Sequence, residues 1–181
     1  MKLLQWVILS STLFLLLACT STSGVKQPPG WNYEQGAIEL NIASDSKLNL
    51  FQKQSHSLIL CLYHLKDPTG FNQLVDEKGG LAKLLDCSRF DPSVTYAKRL
   101  VIQPGQRISE VMDRTEGSKF VGVVAGYYSL QKESSIRTYP IPVTEVEQGS
   151  TLVQNPAKLS INLYLGSHAI SHGETAKTKR P

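Results

Sequence analysis

The sequence predicts a mainly β fold: a β-sandwich of about seven to eight strands with one short helical insertion. Three observations carry that expectation. Several short runs alternate apolar and polar residues, the period-two mark of half-buried strands. Two other runs are apolar on both faces, as strands in the middle of a sheet would be. One stretch alone, about residues 70–87, shifts to helical spacing. Short strands with turn signals between them read as a sandwich.

The elements follow in order. Ile38, Leu40 and Ile42 alternate with Glu39 and Asn41. Asp45 to His56 is polar and reads as a long loop. Ser57 to Leu65 (SLILCLYHL) is apolar on both faces and should be central. Lys66-Asp67-Pro68-Thr69-Gly70 is turn chemistry. Phe71, Leu74 and Val75, then Leu81, Leu84 and Leu85 behind Gly79-Gly80, form the helical excursion. Thr95 to Gln103 is a strand with Tyr96, Leu100 and Ile102 on one face. Pro104-Gly105 turns, Gln106 to Met112 is a weaker strand, and Arg114 to Gly117 turns again.

Lys119 to Ser129 (KFVGVVAGYYS) should be a second central strand. Gly122 and Gly126 share one of its faces and would permit close approach of something packed above. Ser135 to Val143 is strand-like, but Pro140 and Pro142 cannot donate to a ladder, so it belongs at a sheet edge. Glu145 to Asn155 reads as loop. In Lys158 to Gly166, Leu159, Ile161, Leu163 and Leu165 face inward. Ser167 to Pro181 is polar and basic and is expected to be disordered. No repeat of fixed period is present.

The N-terminus bears on compartment. Lys2 precedes an almost wholly apolar run from Leu3 to Leu17. That run is short for a spanning helix of roughly 20 residues and has the size of a secretory h-region. It ends in Leu16-Leu17-Ala18-Cys19. A small residue before a cysteine at this place is a bacterial lipobox, although Leu17 is bulkier than usual. Residues 1–18 are expected to be a cleaved signal peptide and Cys19 to carry the lipid. The alternative is an ordinary signal with an incidental cysteine. Two acyl chains suffice for stable anchoring, so a triacylated Cys19 would stay on the membrane. Thr20 stands where an aspartate would favour inner-membrane retention, which favours the outer membrane. Residues 19–35, rich in Ser, Thr, Gly and Pro, read as a flexible tether to a domain over 36–166.

The chain has 181 residues, 41% of them hydrophobic, and a formal charge of +4, of which Lys2 would be lost. That length supports one domain with a real core, and so small and scattered a charge argues against a nucleic-acid partner. Cys61 and Cys87 remain after Cys19. An isolated pair in an oxidising periplasm usually bonds, and closing a loop of about 25 residues is worth about 3 to 3.5 kcal/mol in the chain-entropy account. Two buried free thiols are the alternative.

No catalytic set, metal site or cofactor motif is read from the residues. GxSxG, P-loop, CxxC and HExxH patterns are missing. His168 and His172 are four apart, which would suit a metal on a helix, but they lie in the tail. His64 reads as a structural histidine on its strand. Asp76, Glu77, Asp86 and Asp91 read as loop or helix-end charges.

Four pieces between Ile38 and Val143 resemble, in order, the type VI secretion outer-membrane lipoprotein family, TssJ. They are Ile42-Ala43-Ser44 with Leu48-Asn49; Tyr63-His64-Leu65-Lys66-Asp67 with Phe71; Leu100-Val101-Ile102-Gln103-Pro104-Gly105; and Phe120-Val121-Gly122-Val123-Val124-Ala125-Gly126-Tyr127, the most specific. Ile136-Arg137 replaces the family's usual Trp-Arg pair, and Cys61, Cys87 and the tail after Gly166 fall outside its pattern. The resemblance implies a transthyretin-like β-sandwich without enzyme activity. It implies a protein that anchors the trans-envelope secretion complex at the outer membrane by binding the periplasmic C-terminal region of the inner-membrane component TssM. The loop tied to that contact would be Asp45 to His56, with Leu48 and Asn49 as the matching residues. The alternative for that pair is local: Asn49 caps a turn and Leu48 plugs the sandwich end. A competing function is a periplasmic sugar- or peptide-binding lipoprotein, which would need a concave apolar pocket, with Tyr127 and Tyr128 as candidate lining. A cell-wall enzyme or inhibitor would need clustered carboxylates, and none is seen.

Overall fold

A computed structural model describes residues 25–149 and 151–172. The expected signal peptide, Leu16, Leu17, Ala18 and Cys19, the first part of the tether and residues 173–181 lie outside the described residues.

The strands and helices are, in chain order, β1 (Val25–Gln27), β2 (Glu34–Ser44), β3 (Leu58–Leu65), α1 (Thr69–Asp76), α2 (Gly80–Leu84), β4 (Val94–Ile102), β5 (Arg107–Arg114), β6 (Phe120–Ala125), α3 (Lys132–Ser135), β7 (Ile136–Pro140), β8 (Val143–Gln148), β9 (Thr151–Pro156), β10 (Leu159–Leu165) and β11 (Ile170–His172). Two four-stranded sheets, β11-β10-β2-β5 and β4-β3-β6-β7, form the sandwich, and β1-β9-β8 make a small third sheet. β10 runs parallel to β2, Leu159 opposite Ile38 and Leu165 opposite Ser44.

The alternating residues meet between the sheets. Ile38, Leu40 and Ile42 of β2 and Ile161, Leu163 and Leu165 of β10 face Leu58, Leu60 and Leu62 of β3 and Val121, Val123 and Ala125 of β6 in one buried cluster. The other face of β3 and β6 is covered by the helical insertion. Cys61, Tyr63, Leu65 and Val124 lie under Phe71, Val75 and Leu84 in a second cluster. That double cover is why these two strands are apolar at nearly every position. Gly122 makes the cover fit: a Cβ there would stand 2.9 Å from the Phe71 ring. Gly80 is equally constrained, since a Cβ would sit 1.8 Å from the Leu74 carbonyl oxygen where α1 turns into α2. Cys61 and Cys87 are joined as a disulfide with Cα atoms 5.1 Å apart, tying the end of the insertion to β3. The Tyr63 hydroxyl adds a hydrogen bond to the Leu84 carbonyl.

Charged side chains close both open sides of the sandwich. Lys98 of β4 meets Glu110 of β5 at 2.6 Å. Arg137 of β7 reaches across to donate to the Ile170 carbonyl of β11. Inward-pointing charges on edge strands also discourage further strand pairing.

Three expectations need correction. Glu145 to Asn155 is not a loop but most of the β8–β9 hairpin. Every residue of β8 is exposed, so no apolar alternation marked it. The tail is ordered through His172, because β11 pairs with β10 and Ile170 is buried. The tether ends early: Trp31 packs on the core. Arg114, 3% exposed, donates to the Asn32 carbonyl at 3.0 Å, pairs with Glu34 at 3.0 Å and lies 5.7 Å from the centre of the Trp31 ring.

His64 is wholly buried beside Tyr96, ring centroids 4.9 Å apart. Its Nδ1 lies 3.4 Å from the Thr115 hydroxyl, and its Nε2 has no partner among the described residues. Burial pushes the imidazole down to about 4 from an ordinary 6.5.

Two outcomes follow from this packing. Gly122→Val should destabilise the fold by about 1–3 kcal/mol through overpacking against Phe71. Phe71→Leu in the same chain should return part of that loss, seen as a positive coupling in urea melts; additive effects would mean that Phe71 is not the obstacle. For His64, the unfolded imidazole takes up its proton near 6.5 and the folded one near 4. Between those values the unfolded chain binds more protons, so stability falls as pH drops through this window, by roughly 2–3 kcal/mol. His64→Phe should flatten that fall in urea midpoints taken at pH 7, 5.5 and 4; an unchanged slope would refute the assignment.

Candidate functional site

The β2–β3 loop is densely hydrogen-bonded to itself and to neighbouring strands. Asp45 starts it. Its amide donates to the Leu165 carbonyl at 2.9 Å, and its own carbonyl accepts from Leu48 and Gly105, both at 3.0 Å. One carboxylate oxygen accepts from the Lys47 amide at 2.8 Å and the other from the Tyr164 hydroxyl at 3.1 Å. The Lys47 amide bond foremost holds the Asp45 carboxyl below its usual range. Leu50 donates to the Ser167 carbonyl and His56 to the Leu48 carbonyl, which staples the loop to β10's end and to itself.

Leu48 is 0% exposed and belongs to the sandwich core. Asn49 is also buried and adopts a left-handed φ of 48°, a conformation that Asn tolerates better than most residues. Its amide nitrogen donates to the Ser57 carbonyl at 3.1 Å, and its amide oxygen accepts from the Tyr128 amide at 2.8 Å. The two residues named from sequence are therefore adjacent and inward. They shape the loop and tie it to the segment after β6.

The outward face is aromatic. Phe51 and Gln54 exchange both backbone hydrogen bonds at 2.9 Å around Gln52 and Lys53, whose φ values of 47° and 65° give a tight primed turn. This sets the Phe51 ring on Tyr128, centroids 4.5 Å apart and planes 14° from parallel. His56 meets Tyr128 edge-on at 4.9 Å. Phe51 is 44% exposed, Tyr128 56% and nearby Val101 52%. An open depression of about 530 Å³ runs between Asn49, Ile59, Val101, Tyr128 and Leu130. Rigid, half-exposed aromatic rings above a packed base are the kind of side chain that anchors protein interfaces.

Phe51 and Tyr128 were not singled out together from sequence. The one aromatic side chain besides His56 in the Asp45–His56 loop was the available signal; its partner is 77 positions away, brought close by the Asn49 bridge. Tyr127, beside it, is buried, and Tyr128 alone faces out. The sandwich interior is filled by side chains, so the depressions are superficial. One of about 560 Å³ on the outer face of the β2 sheet is lined by Asn41, Arg107, Ser109, Asn162 and Tyr164. Cys61 and Cys87 lie under the helices, on the face of β3 turned away from the sandwich core. His168 precedes a strand, β11, so the helical spacing that a metal pair with His172 would use is not formed.

Residues 36–167 match the family described as "Type VI secretion lipoprotein, VasD, EvfM, TssJ". No curated protein matches the chain. Among solved structures, it is similar in fold to the T6SS lipoprotein TssJ1 from Pseudomonas aeruginosa. That likeness has 19% identity and a TM-score of 0.55, over 80% of this chain and 95% of that one. Serratia marcescens Lip, described as a membrane-bound component of the type VI secretion system, matches at 16% identity and a TM-score of 0.55, over 77% and 98%. A chain of the structure described as "T6SS protein TssM C-terminal domain (869-1107) from EAEC" matches at 15% identity and a TM-score of 0.54, over 74% and 94%. With the family match running from the start of the sandwich to its last long strand, this chain belongs to the type VI secretion lipoprotein family that includes TssJ.

Proposed function

We propose that this chain anchors the type VI trans-envelope complex at the outer membrane. Acylated Cys19 holds it to the leaflet, and the Asp45–His56 loop with Tyr128 grips the periplasmic C-terminal region of TssM. The observation that carries this reading is the stacked, exposed Phe51–Tyr128 pair on a loop whose base is locked by Leu48 and Asn49. Two further facts support it. Chains of this fold occur in structures described as the TssM C-terminal domain and as the type VI membrane complex. The loop also lies at the far end of β2 from Glu34, where the N-terminal segment arrives; 11 strand residues separate the two ends by roughly 35 Å. A membrane anchor at one end leaves the other free to meet a partner in the periplasm. The role is one of binding.

Such an interface should bury roughly 1,200–2,000 Å² in total. Calorimetry with the TssM periplasmic region should show Phe51→Ala and Tyr128→Ala each weakening binding about tenfold or more, a loss of about 1.4 kcal/mol, with unchanged melting temperature. Wild-type affinity in both variants would overturn the interface. Asn49→Gly keeps the left-handed backbone but removes two hydrogen bonds. It should loosen the loop, seen as faster amide exchange at residues 50–55, and so weaken binding; tight binding by a loosened loop would show that Asn49 does not position the contact.

A further inference from the structure

The three residues of β1 carry a consequence for how the protein stands on its membrane. β1 runs parallel to β9, with Val25 opposite Thr151 and Gln27 opposite Val153. β9 in turn pairs with β8, Thr151 opposite Gln148 and Pro156 opposite Val143. Val25 is therefore level with the turn of the hairpin, and Gln27 is nearer its base. The base is closed by the Ala157 amide on the Pro142 carbonyl at 2.8 Å. It sits where β7 ends and β10 begins, the sandwich end at which β2 starts. Lys26 binds Glu145 at 2.7 Å across the middle strand, and Gln154 of that strand donates to the same carboxylate at 2.7 Å. Pro28-Pro29 follow, and without N–H groups they stop the strand.

Six peptide steps lead from Val25 back to Cys19, a reach of at most roughly 20 Å. From Trp31, the first described residue packed on the core, the same chain unpaired would reach roughly 40 Å. Pairing β1 with β9 thus halves the free tether and places its origin at the hairpin turn. β8 is exposed along its whole length.

We propose that the β1–β9–β8 arm is a spacer standing on phospholipid headgroups. Its Gln148–Gly149 turn faces the leaflet that holds the Cys19 acyl chains, and β1 pairing fixes the height and tilt of the sandwich. The proposal rests on acylation of Cys19. The headgroup layer is the occupant because an acylated Cys19, six residues before Val25, would bring that layer within reach of the turn.

The test uses full-length acylated protein in phosphatidylethanolamine–phosphatidylglycerol vesicles with a headgroup-linked energy acceptor. A fluorescent non-natural residue is placed at Gln148 or, separately, at Lys53 in the opposite loop. Transfer from position 148 should exceed that from 53 at least fivefold. Lys26→Pro, which breaks β1 pairing, should cut that ratio at least twofold without changing the melting temperature of the sandwich. Equal transfer from the two sites, a ratio indifferent to Lys26→Pro, or transfer from 148 only to a second labelled copy would each overturn the spacer. Mass spectrometry of the same sample separates the two readings: an unmodified Cys19 defeats the anchor and the spacer with it, whereas acylated protein with equal transfer defeats the spacer alone.

Discussion

The burial of β3 on both faces is the constraint on which the rest depends. A strand covered on one side could be polar on the other, and the helices would have nothing to pack against. Here Leu58, Leu60 and Leu62 fill the sandwich while Cys61, Tyr63 and Leu65 supply the floor for α1 and α2. Each large side chain moved from water contributes about 1.5–3 kcal/mol, so the two clusters together outweigh any surface ion pair. The disulfide and the Tyr63–Leu84 hydrogen bond then hold the insertion on that floor. His64 pays for the same burial, as a neutral ring whose Nε2 has no partner among the described residues.

The two ends of the sandwich are held in different ways. At one end the β2–β3 loop is stapled by backbone bonds to the ends of neighbouring strands, so its aromatic tip would need little ordering on binding. Preorganisation of that kind lowers the entropic cost of association. At the other end Arg114 gathers Trp31, Asn32 and Glu34, and the arm takes up the residues just before them. Little slack is left between the folded body and the point where the chain leaves it.

Low identity with retained architecture has a physical reading. A transthyretin-like sandwich asks for apolar residues in alternation and for small residues under the helices, and many sequences meet that demand. The pair Ile136-Arg137, where the resembled pattern has Trp-Arg, illustrates it. Ile136 packs against the helical cluster, and Arg137 bridges two edge strands.

The sandwich was legible because period-two alternation is a local pattern and burial enforces it strand by strand. The central strands, apolar on both faces, the helical excursion at its own spacing and the edge strand with Pro140 were legible from equally local signals. So does the close approach at Gly122, which only a residue without a side chain admits. β8, β9, β1 and β11 were not legible, since exposed or very short strands are held by backbone pairing with distant segments and need no apolar code. The loop shows the same division. Leu48 and Asn49 could be picked out by resemblance, but their inward direction, and the meeting of Phe51 with Tyr128, depend on a hydrogen bond spanning 79 positions. Local chemistry in the sequence determined the layers; which outward side chains share a surface was decided by tertiary structure, because contacts between remote segments exist only once the sheets have closed.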